Sequence, residues 1–232
     1  MIKKYFKKIH LDSVYAYQED FANSLPRGFS GRWLDLGCHD GKFLSFLARQ
    51  VHYMGKISGV DLSSKLLKRA KMRGIEVYES DLNQRLPFAA GSFDLVTASH
   101  VIEHIEKLDI FMTEIRRILN KEGILVVGTE NLSAWHNVMA LVCGFYPFSC
   151  DVTGQKKFGN FLSLSEGIKD FLDYHRTVFN LKTLVEFLEY YKFEIIKKTG
   201  TAYYPLPNFL GKYLSRIDST HSVFISVLAK KF

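Results

Sequence analysis

The sequence reads as an α/β fold: a doubly wound, mostly parallel sheet of seven strands, the last one antiparallel, with an insertion after the fifth. Three observations lead there. From residue 31 onward, short runs rich in β-branched and aromatic residues alternate with stretches whose apolar residues recur at helical spacing. The first such run ends in a glycine loop at residues 37–41 that opens straight into a helical pattern. The fourth run, FDLVTA at residues 93–98, is apolar enough for burial on both faces, as a central parallel strand requires.

Residues 1–30 precede this alternation and form a helical N-terminal segment, leaving residues 31–232 as the alternating domain. Residues 31–36 (GRWLDL) make the first strand, and Phe43, Leu44 and Leu47 mark one face of the helix after the glycine loop. The second strand, residues 56–60, is closed by Asp61, and Ser63 or Ser64 caps a helix with Leu62, Leu66, Leu67 and Ala70 on one face. A third strand at 75–78 runs into Glu79, Ser80 and Asp81, and a polar stretch with Pro87 leads to the fourth. Leu108, Phe111, Met112, Ile115, Ile118 and Leu119 mark a long amphipathic helix that stops near Asn120 and Gly123, ahead of a fifth strand at 124–128. Between about 131 and 178 the alternation lapses into an aromatic, glycine-punctuated insertion, a lid or acceptor-binding segment over the carboxyl edge of the sheet. Asn180 then caps a helix carrying Leu181, Leu184, Val185 and Leu188; a strand at 193–197, a connection with Pro205 and Pro207, and an antiparallel strand at 222–228 complete the chain.

A length of 232 residues suits one large domain with an elaborated insertion. With 47% hydrophobic, 14% aromatic and 24% charged residues, disordered and fibrous classes are excluded. The longest apolar stretch, residues 138–148, is broken by Gly144 and Pro147, short of the roughly 18–20 residues that span a bilayer. The basic beginning is interrupted by His10, Asp12, Gln18 and Glu19, which is unlike the apolar core of a signal peptide. Cys38, Cys143 and Cys150 have no C-x-x-C spacing, so a reducing, cytoplasmic setting is expected. Lys and Arg outnumber Asp and Glu by 31 to 24, a net charge of +7, which brings anionic partners into view. The excess gathers at Lys3, Lys4, Lys7 and Lys8 and again at Lys65, Lys68, Arg69, Lys71 and Arg73; without an interleaved RNA-reading aromatic motif it reads as a solvated basic face.

In open α/β sheets ligands bind beyond the carboxyl ends of the strands, where the first helix presents free backbone N–H groups. The loop at 37–41 occupies that place, and Asp61, 24 positions after Gly37, stands where a carboxylate accepts both hydroxyls of a ribose. A dinucleotide would need the G-x-G-x-x-G spacing and no acidic group against its pyrophosphate. Here Asp35 and Asp40 flank and enter the loop, and His39 replaces the second close-approach glycine, so its side chain must point away. A cofactor carrying a sulfonium and an ammonium is the better match to that acidity.

With these residues in place, the chain resembles the class I S-adenosylmethionine-dependent methyltransferases, in the broad group that includes ubiquinone-biosynthesis-type and other small-molecule enzymes. WLDLGCHDGKF at 33–43, GVDL at 59–62, SDL at 80–82 and FDLVTASHVIEHI at 93–105 match that family's motifs in order, and NKEGILVVGTEN at 120–131 resembles its passage into strand five with Glu122 in place of proline. The resemblance covers about residues 31–131. It implies a Rossmann-like fold and S-adenosylmethionine as cofactor. It also implies that Asp35, Gly37, Cys38 and Gly41 surround the methionine end, Asp61 holds the ribose, and Asp81 the adenine amino group. Leu62 and Leu82 would pack on the ring and Ser99 would lie beside the transferring methyl.

His100, Glu103 and His104 spell H-x-x-E-H, a protease zinc pattern, but a zincin carries it inside a long helix, and here it directly follows a buried strand. The segment also resembles the E-x-x-E-H with which small-RNA 2′-O-methyltransferases and some quinone O-methyltransferases hold a divalent ion. His100 replaces its first glutamate and weakens a Mg²⁺ site, so no metal is expected. Methyl transfer to a hydroxyl needs in-line positioning and one base. Among His100, His136 and His175, with Glu130 behind them, His100 is the first choice because it follows the strand end nearest the expected methyl.

The segment ENLSAWHNVMALVCGFYPF at 130–148 more loosely resembles methyltransferases associated with surface-polysaccharide or glycolipid synthesis, and its aromatic residues suit a sugar or a lipid tail as well as an ordinary lid core. The expected function is therefore methyl transfer to an O or N of a small molecule, glycan or lipid-linked precursor. An RNA methyltransferase and a non-catalytic S-adenosylmethionine-binding protein are the alternatives.

Overall fold

Trp33, Leu34, Asp35 and Leu36 are all buried, as befits strand β1 (Trp33–Leu36) in the interior of the sheet. The computed structural model describes residues 2–155, 158–159 and 174–232. On either side of β1 lie β2 (Ile57–Asp61) and β4 (Phe93–Ser99), both parallel to it, with Asp35 in register with Gly59 and Thr97. β3 (Glu76–Glu79) adds outside β2, and β5 (Leu119–Glu130) outside β4. β7 (Phe224–Lys231) runs antiparallel to both β5 and β6 (Phe193–Thr201), giving the order β3-β2-β1-β4-β5-β7-β6. The expected seven-stranded, mostly parallel sheet with an antiparallel last strand is therefore present, with that strand inserted between the fifth and sixth. Strand order reverses between β1 and β4, and ligand crevices open at such a switch point.

Alternation along the strands sends side chains to two covered faces. Leu34, Leu36, Val96, Ala98, Leu125 and Val127 face one layer, packed under α4 (Leu108–Ile118) and α6 (Leu181–Tyr190) through Phe111, Met112, Ile115, Leu184 and Leu188. Trp33, Leu95 and Val126 face the other, under α1 (Ile2–Ala22), α2 (Lys42–Gln50) and α3 (Ser64–Lys71) through Tyr17, Phe21, Leu44, Leu47 and Leu67. Removing a side chain such as Phe111, fully enclosed in the first layer, costs about 3–5 kcal/mol.

Two of the expected caps form: Ser63 accepts from Leu66 N–H at the start of α3, and Asn180 accepts from Thr183 N–H at 2.9 Å at the start of α6. The fifth strand differs from expectation. Leu119 is already extended and pairs with Phe93, so α4 ends at Ile118 and residues 120–123 form an irregularity within β5, with Glu122 at φ +71°. Two helices that the sequence pattern does not predict carry no core-facing apolar period: α5 (Trp135–Val142), inside the insertion, and α7 (Asn208–Ile217), in the Pro-containing connection. Most of the second half of the insertion lies outside the described residues.

Candidate cofactor-binding cleft

The switch point opens into a cleft of about 470 Å³. Asp35, Gly37, Cys38, His39 and Asp40 form its floor from β1 and the glycine loop; Lys42, Phe43 and Phe46 of α2 form one side; Ser99 and His100 close the end of β4. Val14, Tyr17 and Gln18 of α1 form the remaining wall, so the N-terminal helix is part of the site.

Asp35 is the acidic group that defines the floor. In register with Thr97, it accepts the threonine hydroxyl at 2.5 Å, and Thr97 in turn accepts from the Trp33 indole at 2.9 Å. Burial pushes the Asp35 carboxyl up to about 7, the Thr97 bond opposes this, and the Asp61 charge adds to it. Among the described residues, no Lys, Arg or His forms an ion pair with Asp35. Asp40, the other loop acid, is already neutralised: Lys42 Nζ lies 3.3 Å and Arg73 3.8 Å from Oδ2, and the Lys42 N–H donates to Oδ1 at 3.1 Å. Its carboxyl is pushed up by the burial it has but is held below the usual range by these Lys42 contacts.

Three loop residues take the left-handed conformation, Gly37 at φ +70°, His39 at φ +49° and Gly41 at φ +75°. The His39 side chain is 69% exposed, as its replacement of a close-approach glycine requires. Its N–H donates to Asp61 Oδ2 at 2.8 Å, while Ser63 N–H donates to Oδ1 at 2.9 Å. Asp61 thus ties the glycine loop to the end of β2, and each of its oxygens retains a lone pair. Gly41 does not line the cleft: a Cβ there would meet the Ile75 methyl and lie 3.1 Å from Ala70, so this glycine seats α2 against α3. Gly59, opposite Asp35, leaves room for Cys38, whose sulfur would lie 2.6 Å from an added Cβ.

Leu62, half-exposed, follows Asp61, whereas Asp81 and Leu82 sit past the end of β3; none of the four lines the cleft itself. Asp81 accepts from Asn83 N–H at 2.8 Å and from the Asn83 and Gln84 side-chain amides, an Asx turn that Asn83 extends by accepting from the N–H groups of Glu106 and Lys107. These contacts outweigh partial burial and hold its carboxyl below the usual range. The structure therefore gathers Asp35, Gly37, Cys38, Ser99 and His100 in one cleft, ties Asp61 to its loop through the His39 N–H, and leaves Leu62, Asp81 and Leu82 outside its lining.

At the end of β4 the Tyr17 and Ser99 hydroxyls are 2.7 Å apart, and burial pushes the Tyr17 phenol well above its ordinary value. His100 sits at φ +52°, its N–H donating to Gly128 O at 2.8 Å and its ring packed edge-on at 4.7 Å from Tyr17. Its Nδ1 lies 3.1 Å from Glu103 Oε1, so the Nδ1–H is donated there and Nε2 keeps its lone pair. Burial lowers the imidazole's affinity for a proton, but the Glu103 bond and charge outweigh it and the net shift is upward. Glu103 is fully buried, and its second oxygen has no hydrogen-bond partner among the described residues. Glu103, His104 and His175 each bring a ligand-capable atom within 4.8 Å of the others, while the Nδ1 atoms of the two histidines contact the carbonyls of Tyr174 (3.1 Å) and Ser149 (2.7 Å). His175 arrives from the insertion, 71 residues after His104, a meeting that spacing alone does not reveal. His136 lies outside the cleft wall, and burial pushes its imidazole down to about 4.

Residues 34–127 match the family model described as a methyltransferase domain. A malonyl-[acyl-carrier protein] O-methyltransferase of Legionella pneumophila is 37% identical over 103 residues, 42% of this chain and 36% of that protein. A ubiquinone biosynthesis O-methyltransferase of Glaesserella parasuis is 25% identical over 174 residues, 69% of this chain and 71% of that protein. The chain spans about a third to a half of the length of the first curated relatives it matches. A crystal structure from Thermotoga maritima, described as an S-adenosylmethionine-dependent methyltransferase and possible histamine N-methyltransferase, superposes with a TM-score of 0.67 at 19% identity, covering 98% of this chain and 93% of that one. The motif order, the acidic cleft at the switch point and these likenesses agree: residues 34–127 carry a methyltransferase domain, in the class I fold of the S-adenosylmethionine-dependent methyltransferases, and the cofactor of that class is S-adenosylmethionine.

Proposed function

We propose that the chain is an S-adenosylmethionine-dependent methyltransferase acting on an O or N of a small molecule, glycan or lipid-linked precursor. One observation carries this reading: Asp35 is a buried carboxyl at the floor of the cleft with no cation beside it among the described residues, an arrangement that favours a cationic ligand. The bound cofactor supplies an electrophilic methyl on sulfur. Asp35, Gly37 and Cys38 receive its methionine end, and Gly41 keeps the loop in shape. Asp61 accepts the ribose hydroxyls with the lone pairs its two backbone donors leave free. Leu62 and Leu82 cover the adenine, Asp81 accepts from its amino group, and Ser99, fixed by Tyr17, borders the methyl.

His100 Nε2 takes the acceptor's proton while Glu103 fixes the ring through Nδ1 and stabilises the imidazolium, the base–orienter logic of a carboxylate–histidine pair. The lack of C-x-x-C spacing among Cys38, Cys143 and Cys150 suits a reducing, cytoplasmic setting. Among the described residues, no helix is long and apolar enough to cross a membrane.

This reading takes no metal. The oxygen of Glu103 that has no partner among the described residues, beside His104 and His175, favours a second one, in which a divalent ion held there orients the acceptor. Turnover with methyl-labelled cofactor against quinol, sugar and lipid-linked acceptors tests both. Label transfer that survives chelation supports the metal-free form. Loss on chelation with recovery on adding Mn²⁺ or Zn²⁺ supports the second. No nucleoside binding by calorimetry overturns both.

A further inference from the structure

The helices α5 and α7 are built inside out. On α7 the positions turned toward the protein are Gly211 and Ser215, while Phe209, Tyr213 and Ile217 are 73%, 64% and 68% exposed, with Leu210 beside them. A Cβ at Gly211 would lie 3.0 Å from Tyr203 N, so the small residue lets this helix seat closely and its bulk is left outward. On α5 the buried positions are Asn137 and Ala140, Asn137 being held by Asn131 O and Ser149, whereas Trp135, Met139, Leu141 and Val142 face out. An ordinary surface helix shows the reverse pattern.

The two faces meet. Trp135 of α5 and Leu214 and Ile217 of α7 share a mostly apolar groove with Tyr203, Tyr204, Pro205 and Asp218, whose carboxylate is taken up by His221 Nδ1 at 2.7 Å and Thr220 N–H at 2.9 Å. The other exposed side chains of α7 are Lys212 and Arg216, so its outer face holds four large apolar groups, two cations and no acid. α1 adjoins this surface, with Asn208 Nδ2 donating to Asp12 O at 2.8 Å and Phe6 5.9 Å from Tyr204, and it adds exposed Lys4, Tyr5 and Lys8. The same helix carries Tyr17 and Gln18 into the cleft.

A patch of this kind is rare on an isolated protein and calls for an apolar partner. The cations name that partner's charge, and exposed Phe, Tyr and Trp are the side chains that settle at the boundary between headgroups and acyl chains. We propose that the outward faces of α5 and α7 dock on an anionic lipid bilayer, bringing the cleft to the membrane surface. The attachment stands independently of the catalytic reading, since it needs neither cofactor nor turnover.

The test is co-sedimentation of the full chain with vesicles of phosphatidylcholine alone and with about one third phosphatidylglycerol. Binding to the anionic vesicles that weakens at about 0.5 M salt is expected. The chain has two tryptophans and Trp33 is fully buried, so a blue shift of emission on binding reports Trp135. Phe209→Ser with Ile217→Ser, and separately Lys212→Glu with Arg216→Glu, are each expected to weaken binding about tenfold or more while leaving the melting temperature near its original value. Should the serine pair perturb folding, the charge-reversed pair decides. Absence of binding to anionic vesicles, or equal binding by both variants, overturns the proposal. So does a dimer in light scattering that the serine pair dissolves, which would make the patch an interface between two copies of the chain.

Discussion

The hydroxyls of Tyr17 and Ser99 meet at 2.7 Å, joining the N-terminal helix to the carboxyl end of β4 across the mouth of the cleft. Tyr17→Phe keeps the ring contacts with Phe21, His100 and Phe224 but leaves Ser99 with one partner fewer. A stability loss of about 1 kcal/mol is expected, with weaker affinity for S-adenosylhomocysteine in a calorimetric titration. Gly128→Ala is expected to do more, because its new methyl would collide with the Tyr17 hydroxyl and lie 3.0 Å from the Phe21 ring, prying α1 from the sheet at a cost of about 1–3 kcal/mol. Unchanged cofactor affinity in both variants would detach α1 from the site.

Asp61 holds two backbone donors, so its replacement tests the ribose role against the loop-holding role. Asp61→Ala is expected to abolish measurable S-adenosylmethionine binding and to lower stability by about 1–3 kcal/mol for the two lost bonds, with the fold retained in circular dichroism. Asp61→Asn keeps an acceptor for only one of those donors and is expected to bind weakly instead of not at all. An alanine variant that binds with full affinity removes Asp61 from the ribose.

Asp35 gives a pH dependence whose sign follows from its raised pKa. At about 7 in the free protein, against an ordinary value near 4, the folded state holds a proton that the unfolded chain releases. This group's contribution to stability is therefore complete below about pH 4 and is lost as the pH rises through 7. Binding of a cation requires the opposite state, so affinity for S-adenosylmethionine is expected to fall about tenfold per pH unit below 7 and to level off above it. Asp35→Asn should flatten both profiles. A titration showing the same dissociation constant at pH 6 and pH 8 would remove Asp35 from the cation site.

Much of this site was legible because its signals are local. A strand that carries Asp35 and runs into Gly37 and Gly41 declares the loop, and Asp61 closing the next parallel strand declares its partner, since the βαβ unit brings the two strand ends together. What could not be read depends on distance along the chain or on an inverted pattern. Tyr17 reaches Ser99 across 82 positions, and His175 reaches Glu103 from within the insertion. α5 and α7 turn Asn137, Gly211 and Ser215 inward, so no apolar period marks the buried side that helix recognition looks for. Asp40 shows a different limit: its acidity is visible in sequence, but its neutralisation by Lys42 and Arg73 is not.

Gly41 separates the work of a glycine that contacts a ligand from that of one that shapes the backbone. At φ +75° it caps α2 in the left-handed conformation, and its Cβ direction is filled by Ile75 and Ala70 on the side of α3. Gly41→Ala should cost about 1–2 kcal/mol for the backbone, plus a similar amount for the crowding, read as a lower melting temperature. Because the methyl would point into the packing and not into the cleft, cofactor affinity measured well below that temperature is expected to fall by less than in Asp61→Asn. If the alanine variant melts normally yet fails to bind, Gly41 is a contact residue after all, and the loop approaches the cofactor through it instead of through Gly37.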